Sequence, residues 1–254
     1  VEVVIEDDDH QPSEGIFLTT DGFSEDGIRW TRNSNTSSFN AKGPIAYHHG
    51  RFITLGSPNY KTEIFYSDNG TGWTQSNIIK ENSNYSISIH SITYGNGVWV
   101  GVGEKSTAWS IDDGETWRIQ RNENWNHWRK VAFGNGRFVV LGDSMGCCSS
   151  SSNAMHSVDG INWTEMVSNT DNSKNLPSGD LIFAEGKFIA VGYGIYYSSD
   201  GISWNATTTQ SGQYSAVRFG NGRFVAVNTN QNSSNGPVLS ISTDGIQWEQ
   251  EKYE

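Results

Sequence analysis

Ser157–Trp163 reads SVDGINW, Ser198–Trp204 reads SSDGISW and Ser242–Trp248 reads STDGIQW. Three looser copies come earlier: SEDGIRW (Ser24–Trp30), SDNGTGW (Ser67–Trp73) and SIDDGETW (Ser110–Trp117). The closing tryptophans are Trp30, Trp73, Trp117, Trp163, Trp204 and Trp248, spaced by 43, 44, 46, 41 and 44 residues. A near-constant period of this size is the mark of a repeat architecture.

A second phrase keeps step with the first. HHGRFITLG (His48–Gly56), YGNGVWVGVG (Tyr94–Gly103) and FGNGRFVVLG (Phe133–Gly142) return as AEGKFIAVG (Ala184–Gly192) and FGNGRFVAV (Phe219–Val227). Each couples turn residues to a β-branched and aromatic run, the pattern of a hairpin leading into a buried strand. Residues 128–166 illustrate one unit. WRKVAF, RFVVLG, AMHSV and NWTEM read as four strands; GNG turns the first into the second, and DGI the third into the fourth. Four antiparallel strands repeated along the chain make propeller blades. The predicted fold is therefore all-β, a single β-propeller domain over 1–254. Its units span about 1–32, 44–75, 90–120, 128–166, 179–207 and 214–250. Six blades are favoured, and five blades with an N-terminal extension are the alternative.

The repeated letters have a local job. Gly supplies the positive φ of a tight hairpin. The Asp before it accepts hydrogen bonds from amides of its own turn, the Ser hydroxyl adds another, and the Trp offers a large apolar face. The phrase Ser-x-Asp-(x)-Gly-x-x-Trp resembles the Asp-box, or bacterial neuraminidase repeat. SIDDGETW matches the full pattern, and the other five copies are shortened by one residue or otherwise varied. The resemblance implies a propeller whose Asp-boxes sit on the blade rim, away from any working face. It makes Asp26, Asp68, Asp112, Asp159, Asp200 and Asp244 structural rather than catalytic or metal-binding. Asp-box propellers include sialidases, which use an arginine cluster, a Tyr–Glu pair and an Asp. Here Arg29, Arg51, Arg118, Arg137 and Arg223 fall in or beside the repeat phrases and are expected at the rim. No Arg-Ile-Pro stretch is present, so a sialidase is not expected.

The connections at the other end of the units differ from one to the next. They are 56–63, 75–90, 120–128, 142–154, 167–180 and 228–236, rich in Asn, Ser, Gln and Thr with scattered aromatic residues. A constant scaffold with variable loops is where binding residues usually sit. Amides and hydroxyls bond hydroxyl-bearing ligands, and aromatic faces stack on sugar rings. The ligand-binding candidates are Trp125, His127 and Trp128, then Tyr60, Tyr85, Tyr193 and Tyr214. For Trp128 the competing reading is a core residue opening a strand. The expected partners are glycans or glycoconjugates, with oligomerisation left open. A carbohydrate-active hydrolase or lyase using Glu81, Glu104, Glu123, Asp143, Asp171 or Asp180 is the first alternative, although no pair stands out. A protein-binding or assembly module is the second. No catalytic residue, metal or cofactor is assigned; EDDDH (Glu6–His10) matches no calcium-loop spacing.

Charge and cysteine content narrow the field. The formal net charge is −11 with no basic stripe, which argues against nucleic acid as partner. No apolar run approaches the roughly 18 residues of a membrane span. The chain opens on Val1 rather than Met, which reads as a mature or trimmed chain. The two cysteines, Cys147 and Cys148, are neighbours. A bond between them is strained, because adjacent Cα atoms lie about 3.8 Å apart against the usual ~4.4–6.8 Å. In an oxidising compartment such a vicinal disulfide is expected. Extracellular placement follows from fold type and loop composition. The six Asn-x-Ser/Thr sites, Asn35, Asn69, Asn84, Asn162, Asn205 and Asn232, add little, since a chain this rich in Asn, Ser and Thr produces several by chance.

Overall fold

The structure, a computed structural model, describes residues 17–19, 22–25, 28–33, 39–57, 62–80, 88–121, 126–144, 154–166, 176–177, 179–207, 212–229 and 238–252. The chain divides into two compact units, Val1–Arg121 and Asn122–Glu254.

The first unit holds three sheets. The first sheet is β1 (Phe17–Leu18), β2 (Gly22–Ser24) and β3 (Thr31–Arg32). The second is β4 (Ala41–His48), β5 (Arg51–Gly56), β6 (Glu63–Ser67) and β7 (Thr74–Gln75). The third contains β8 (Asn77–Lys80), β9 (Ile89–Gly95), β10 (Val98–Gly103), β11 (Ser106–Ser110) and β12 (Thr116–Arg121), in the order β8-β12-β11-β10-β9.

The second unit holds three four-stranded sheets, each ordered as in sequence. The fourth sheet is β13 (Asn126–Gly134), β14 (Arg137–Ser144), β15 (Ala154–Ser157) and β16 (Thr164–Glu165). The fifth is β17 (Asp180–Ala184), β18 (Lys187–Gly192), β19 (Gly194–Ser198) and β20 (Asn205–Ala206). The sixth is β21 (Tyr214–Gly220), β22 (Arg223–Asn228), β23 (Val238–Ser242) and β24 (Glu249–Lys252).

All pairings are antiparallel except that of β8 with β12. The variable connection expected over 75–90 is thus in part a strand. Ile78 pairs with Trp117 and packs on the core of the second and third sheets. The Asn77 amide donates to the Glu115 carbonyl (2.8 Å), and the Ser76 hydroxyl to the Gly114 carbonyl (2.7 Å), which fixes where β8 begins. The fourth strands of the second, fourth and fifth sheets are only two residues long. Trp30, Trp73, Trp163, Trp204 and Trp248 sit just before their strands rather than on them, and of the six repeat tryptophans only Trp117 lies within one.

Within each unit, cores form between consecutive sheets. Alternate residues of a strand face opposite sides, and β18 uses both. Phe188 and Ala190 join Val139, Leu141 and Trp204 on one side, while Ile189 and Val191 join Val217, Phe224 and Trp248 on the other. A second strand buried on both faces explains the unbroken apolar runs FVVL and FIAV, and FITL, where the buried Thr54 hydroxyl donates to the Pro44 carbonyl.

Near the turn end of the second to sixth sheets an aromatic pair faces across the first two strands. The pairs are Tyr47–Phe52, Tyr94–Trp99, Phe133–Phe138, Phe183–Phe188 and Phe219–Phe224, with ring centroids 4.5–5.1 Å apart. In the second unit the repeat tryptophan extends each pair to three rings. Trp163, Trp204 and Trp248 lie 6.3–6.4 Å from Phe138, Phe188 and Phe224. Geometries of this kind add roughly 0.5–1.5 kcal/mol per pair beyond area burial.

The turn glycine joins one sheet to the one before it. A Cβ on Gly201 would stand 2.5 Å from Val139 Cγ2, and one on Gly245 2.8 Å from Ile189 Cδ1. Gly114 meets Ile53 and Gly70 meets Leu18 in the same way. Gly136, in the other class of turn, has a nearly identical φ (71° against 73° for Gly201), but a methyl group there would have nothing within 4 Å. Gly136→Ala should therefore cost only the left-handed backbone term, about 1–2 kcal/mol. Gly201→Ala adds overpacking against the neighbouring sheet and should cost about 2–5 kcal/mol in all. Urea unfolding of both variants measures the difference; equal losses would mean that the wedge between sheets contributes nothing.

Candidate functional site

The repeated aspartates come first, since six of them could suggest metal or acid–base chemistry. Their oxygens are used inside their own turns. Asp159 Oδ1 accepts from the amides of Ile161 (2.9 Å) and Asn162 (2.8 Å) and from the Ser157 hydroxyl (2.8 Å), while the Gly160 amide donates to Ser157 Oγ (2.9 Å). Asp200 repeats this with Ile202, Ser203 and Ser198, and Asp244 with Ile246, Gln247 and Ser242. In the longer turn of the third sheet Asp112 Oδ1 accepts from the Thr116 amide (2.9 Å) and the Ser110 hydroxyl (2.8 Å). The extra residue, Asp113, takes a left-handed φ of 58° and accepts from Trp99 Nε1 (3.1 Å).

The second sheet corrects one assignment. Asn69, not Asp68, caps its turn: Asn69 Oδ1 accepts from the amides of Thr71 (3.0 Å) and Gly72 (2.8 Å) and from the Ser67 hydroxyl (3.1 Å). The turn needs an acceptor oxygen immediately before its glycine, and an amide carbonyl meets that need as a carboxylate does. Asp68 points outward, its side chain 77% exposed, and pairs with Arg51 at 2.9 Å. Asp26 lies outside the described residues.

These bonds set the ionisation of the caps. Partial burial opposes the charge on Asp112, Asp159 and Asp200, and the donated hydrogen bonds outweigh it, holding all three carboxyls below the ordinary value. For Asp244 the amides of Gln247 and Ile246 are the main cause of a shift in the same direction. A folded-state value below the unfolded one means stability that is complete above about pH 4 and lost as pH falls further.

The arginines stay with the turns. Arg51 contacts Asp68, Asp113 (3.2 Å) and Glu115 (3.9 Å) and lies 4.7 Å over the Tyr66 ring. Arg137 meets His156 Nδ1 at 2.9 Å. Arg29, Arg118 and Arg223 are exposed.

The irregular end holds the ligand-binding candidates. Trp125, Tyr60, Tyr85, Cys147 and Cys148 lie outside the described residues, as do Glu81, Glu123, Asp171 and residues 6–10. His127 (9% exposed), Trp128 (2%) and Tyr214 (2%) are buried. Their rings are therefore packing elements: for Trp128 this is the core reading weighed above, and for His127 and Tyr214 it stands in place of the stacking face expected. Both β13 and β21 carry a bulge near their start, between Trp128 and Lys130 in β13 and between Tyr214 and Ala216 in β21. Trp128 lies against Gly142, directly opposite it, and the Tyr214 hydroxyl meets Ser240 Oγ at 3.1 Å.

Tyr193 is different: 80% exposed, on the short link from β18 to β19. Its backbone is held by a bridge to Gln213, and next to it the Gly194 amide donates to the Gly212 carbonyl (2.9 Å). The main-chain carbonyl of Gln213 in turn accepts from the Thr229 amide (2.7 Å) and hydroxyl (3.2 Å). A Cβ on Gly212 would stand 2.5 Å from Asn228 Nδ2 and 3.1 Å from Tyr214 Cε2, so this turn packs closely on the start of the sixth sheet. Gln213 and Thr229 are both exposed. The result is an aromatic side chain on a fixed backbone beside an amide and a hydroxyl. Gln213, the strongest addition to the sequence-derived set, ends the polar stretch TTTQSGQ (207–213), a connection that carries no aromatic residue to draw attention to it.

Of the described carboxylates at this end, Glu104 is exposed, whereas Asp143 and Asp180 are engaged in ion pairs. Asp143 pairs with Arg129 at 2.8 Å. Asp180, its side chain 5% exposed, meets Lys130 Nζ at 2.9 Å and Arg218 Nη1 at 2.5 Å, and accepts from the Val217 amide (3.2 Å). It therefore ties together the inner strands β13, β17 and β21. Among the described residues no three His, Cys, Asp or Glu side chains gather as metal ligands. No helix among them is long and apolar enough to cross a membrane.

No family model and no curated protein matches this sequence. Solved structures do. The chain is similar to YCF48 bound to a D1 peptide, at 16% identity and TM-score 0.62, over 94% of this chain and 77% of that one. It is similar to YCF48 from Cyanidioschyzon merolae, at 12% identity and TM-score 0.59, over 93% and 79%. It is also similar to the extracellular domain of a putative one-component system, BT4673, from B. thetaiotaomicron, at 12% identity and TM-score 0.62, over 93% of this chain and 35% of that one. These are β-propeller proteins, and at such identities the likeness carries the fold alone. The fold of this chain is an all-β propeller built on four-stranded antiparallel sheets.

The caps supply a test of the turn chemistry. Asp244→Asn should keep the cap, as Asn69 does, and lose part of the fall in stability below about pH 4; Asp244→Ala should cost about 1–2 kcal/mol at pH 7. Urea midpoints at pH 7, 4 and 3 check this. An asparagine variant as unstable as the alanine one at pH 7 would refute the account.

Proposed function

We propose that this chain is a six-bladed propeller of the Asp-box type that binds glycans at its irregular end and acts outside the cell, with Cys147 and Cys148 joined as a vicinal disulfide. The observation that carries the ligand reading is the Tyr193 site. An exposed aromatic ring held by the bridge to Gln213, beside the Gln213 amide and the Thr229 hydroxyl, offers a stacking face and directional hydrogen bonds to a hydroxyl-rich ligand. The ion pairs at Asp143 and Asp180 support binding rather than hydrolysis, since both carboxylates have basic partners in place of a substrate. One shallow site of this size binds weakly, so affinity for a polysaccharide would come from repetition. The extracellular domain among the similar structures supports placement outside the cell, as does the loop composition.

A peptide ligand at the same end is the second reading, favoured by the likeness to YCF48, solved with a peptide bound. A glycan array followed by titration of the best sugar distinguishes the two. Tyr193→Ala should weaken sugar binding about tenfold or more, the loss of roughly 1.4 kcal/mol, with an unchanged urea midpoint. Retention of full affinity in this variant, or no sugar bound at high protein concentration, would remove the glycan reading.

A further inference from the structure

Two fourth strands are longer than the two residues found in the second, fourth and fifth sheets: β12 with six and β24 with four. An outermost strand carries a row of backbone donors and acceptors facing away from its sheet, ready to pair with another chain. At β12 that row is used. Residues 77–80 run parallel to it, with Asn77, Ile78, Ile79 and Lys80 opposite Thr116, Trp117, Arg118 and Ile119. β24 stands at the corresponding place. Trp109–Arg118 and Ile241–Glu249 are matching pairs in the two sheets, each one residue before the serine that opens its turn. Among the described residues no strand pairs with the outer edge of β24.

The chemistry of the two edges differs. At the position of Arg118 the sixth sheet has Glu249, and two residues on, along the same face, it has Glu251. Both are exposed, as is Gln250 between them. We infer that the outer edge of β24 is a docking site for an extended peptide segment of a partner, with lysine or arginine at alternate positions, added as a fifth strand parallel to β24. Backbone hydrogen bonds would supply the pairing. The alternating basic side chains would fall beside Glu249 and Glu251, where opposite charges on neighbouring strands are favourable. A second copy of this chain suits the edge less well, because it would bring acidic residues against acidic ones. The site lies on an outer strand and does not depend on the glycan reading of the irregular end.

The experiment uses the full chain and a fluorescent peptide alternating lysine with valine or isoleucine, followed by anisotropy at low salt. Saturable binding is expected, together with slowed amide exchange in Glu249–Lys252. The double variant Glu249→Lys/Glu251→Lys should bind about tenfold more weakly at an unchanged urea midpoint. The same peptide N-methylated at alternate residues should not bind. Equal binding of the N-methylated peptide would reduce the effect to charge attraction and overturn the proposal. So would slowed exchange confined to other strands, no saturation at roughly millimolar peptide, or a concentration-dependent dimer abolished by the double variant, which would assign the edge to a second copy.

Discussion

An acceptor oxygen taking two consecutive amide N–H groups is the contact on which four of the repeating units turn. In the turns led by Asn69, Asp159, Asp200 and Asp244 it holds the amides two and three residues on, while the serine two residues earlier takes the glycine amide. Four polar groups are satisfied within about five residues, so the hairpin needs nothing from its surroundings to close. That independence lets the glycine do a second job. With the turn fixed, its bare Cα can press against Ile53, Val139 or Ile189 of the preceding sheet. A local hydrogen-bonding device thereby becomes the means of setting one sheet against the next, and the two-faced cores follow from it.

What the sequence reveals of this fold follows from which forces are local. Turn caps, positive-φ glycines and two-faced strands are encoded within a few residues, and their period along the chain discloses the units. Details that depend on neighbours are not. Asp68 draws the eye as an acid, yet the cap is defined by its place, two residues after serine and one before glycine, and Asn69 holds that place. Residues 77–80 read as part of a polar loop because only the pairing with β12 makes them a strand. Trp128 and Tyr214 are candidates for an exposed stacking face in the sequence, yet both lie buried beside a bulge, a tertiary feature. Tyr193 differs from them only in belonging to a link instead of a strand.

The two ends of the sheets divide structure from variation. At the turn end, side chains are committed: Ser, Asp, Gly and Trp to the turns, and Arg51 to three carboxylates. At the irregular end, order comes from backbone approach rather than from a repeated motif, as where Gly194 meets Gly212 and Gln213 meets Thr229. Such positions can carry almost any exposed side chain without disturbing the hairpins, which is why recognition is better placed there. Asp180 shows the complementary rule. A carboxylate buried on an inner strand must be neutralised, and Lys130 and Arg218 reach it from the strands on either side, joining three sheets at one point.

Outer edges pose the remaining physical problem of a chain built from separate sheets. Two-residue fourth strands are one answer, because so short an edge offers too few amides to template a partner. Covering the edge is another, as β8 does for β12. Glu249 and Glu251 on β24 represent a third, since acidic residues at an edge that no described strand covers discourage pairing with like-charged chains, including copies of a protein whose net charge is −11. The same charges that exclude most strands leave the edge selective for basic ones. Protection against aggregation and specificity for one class of partner are then two consequences of a single arrangement of charge.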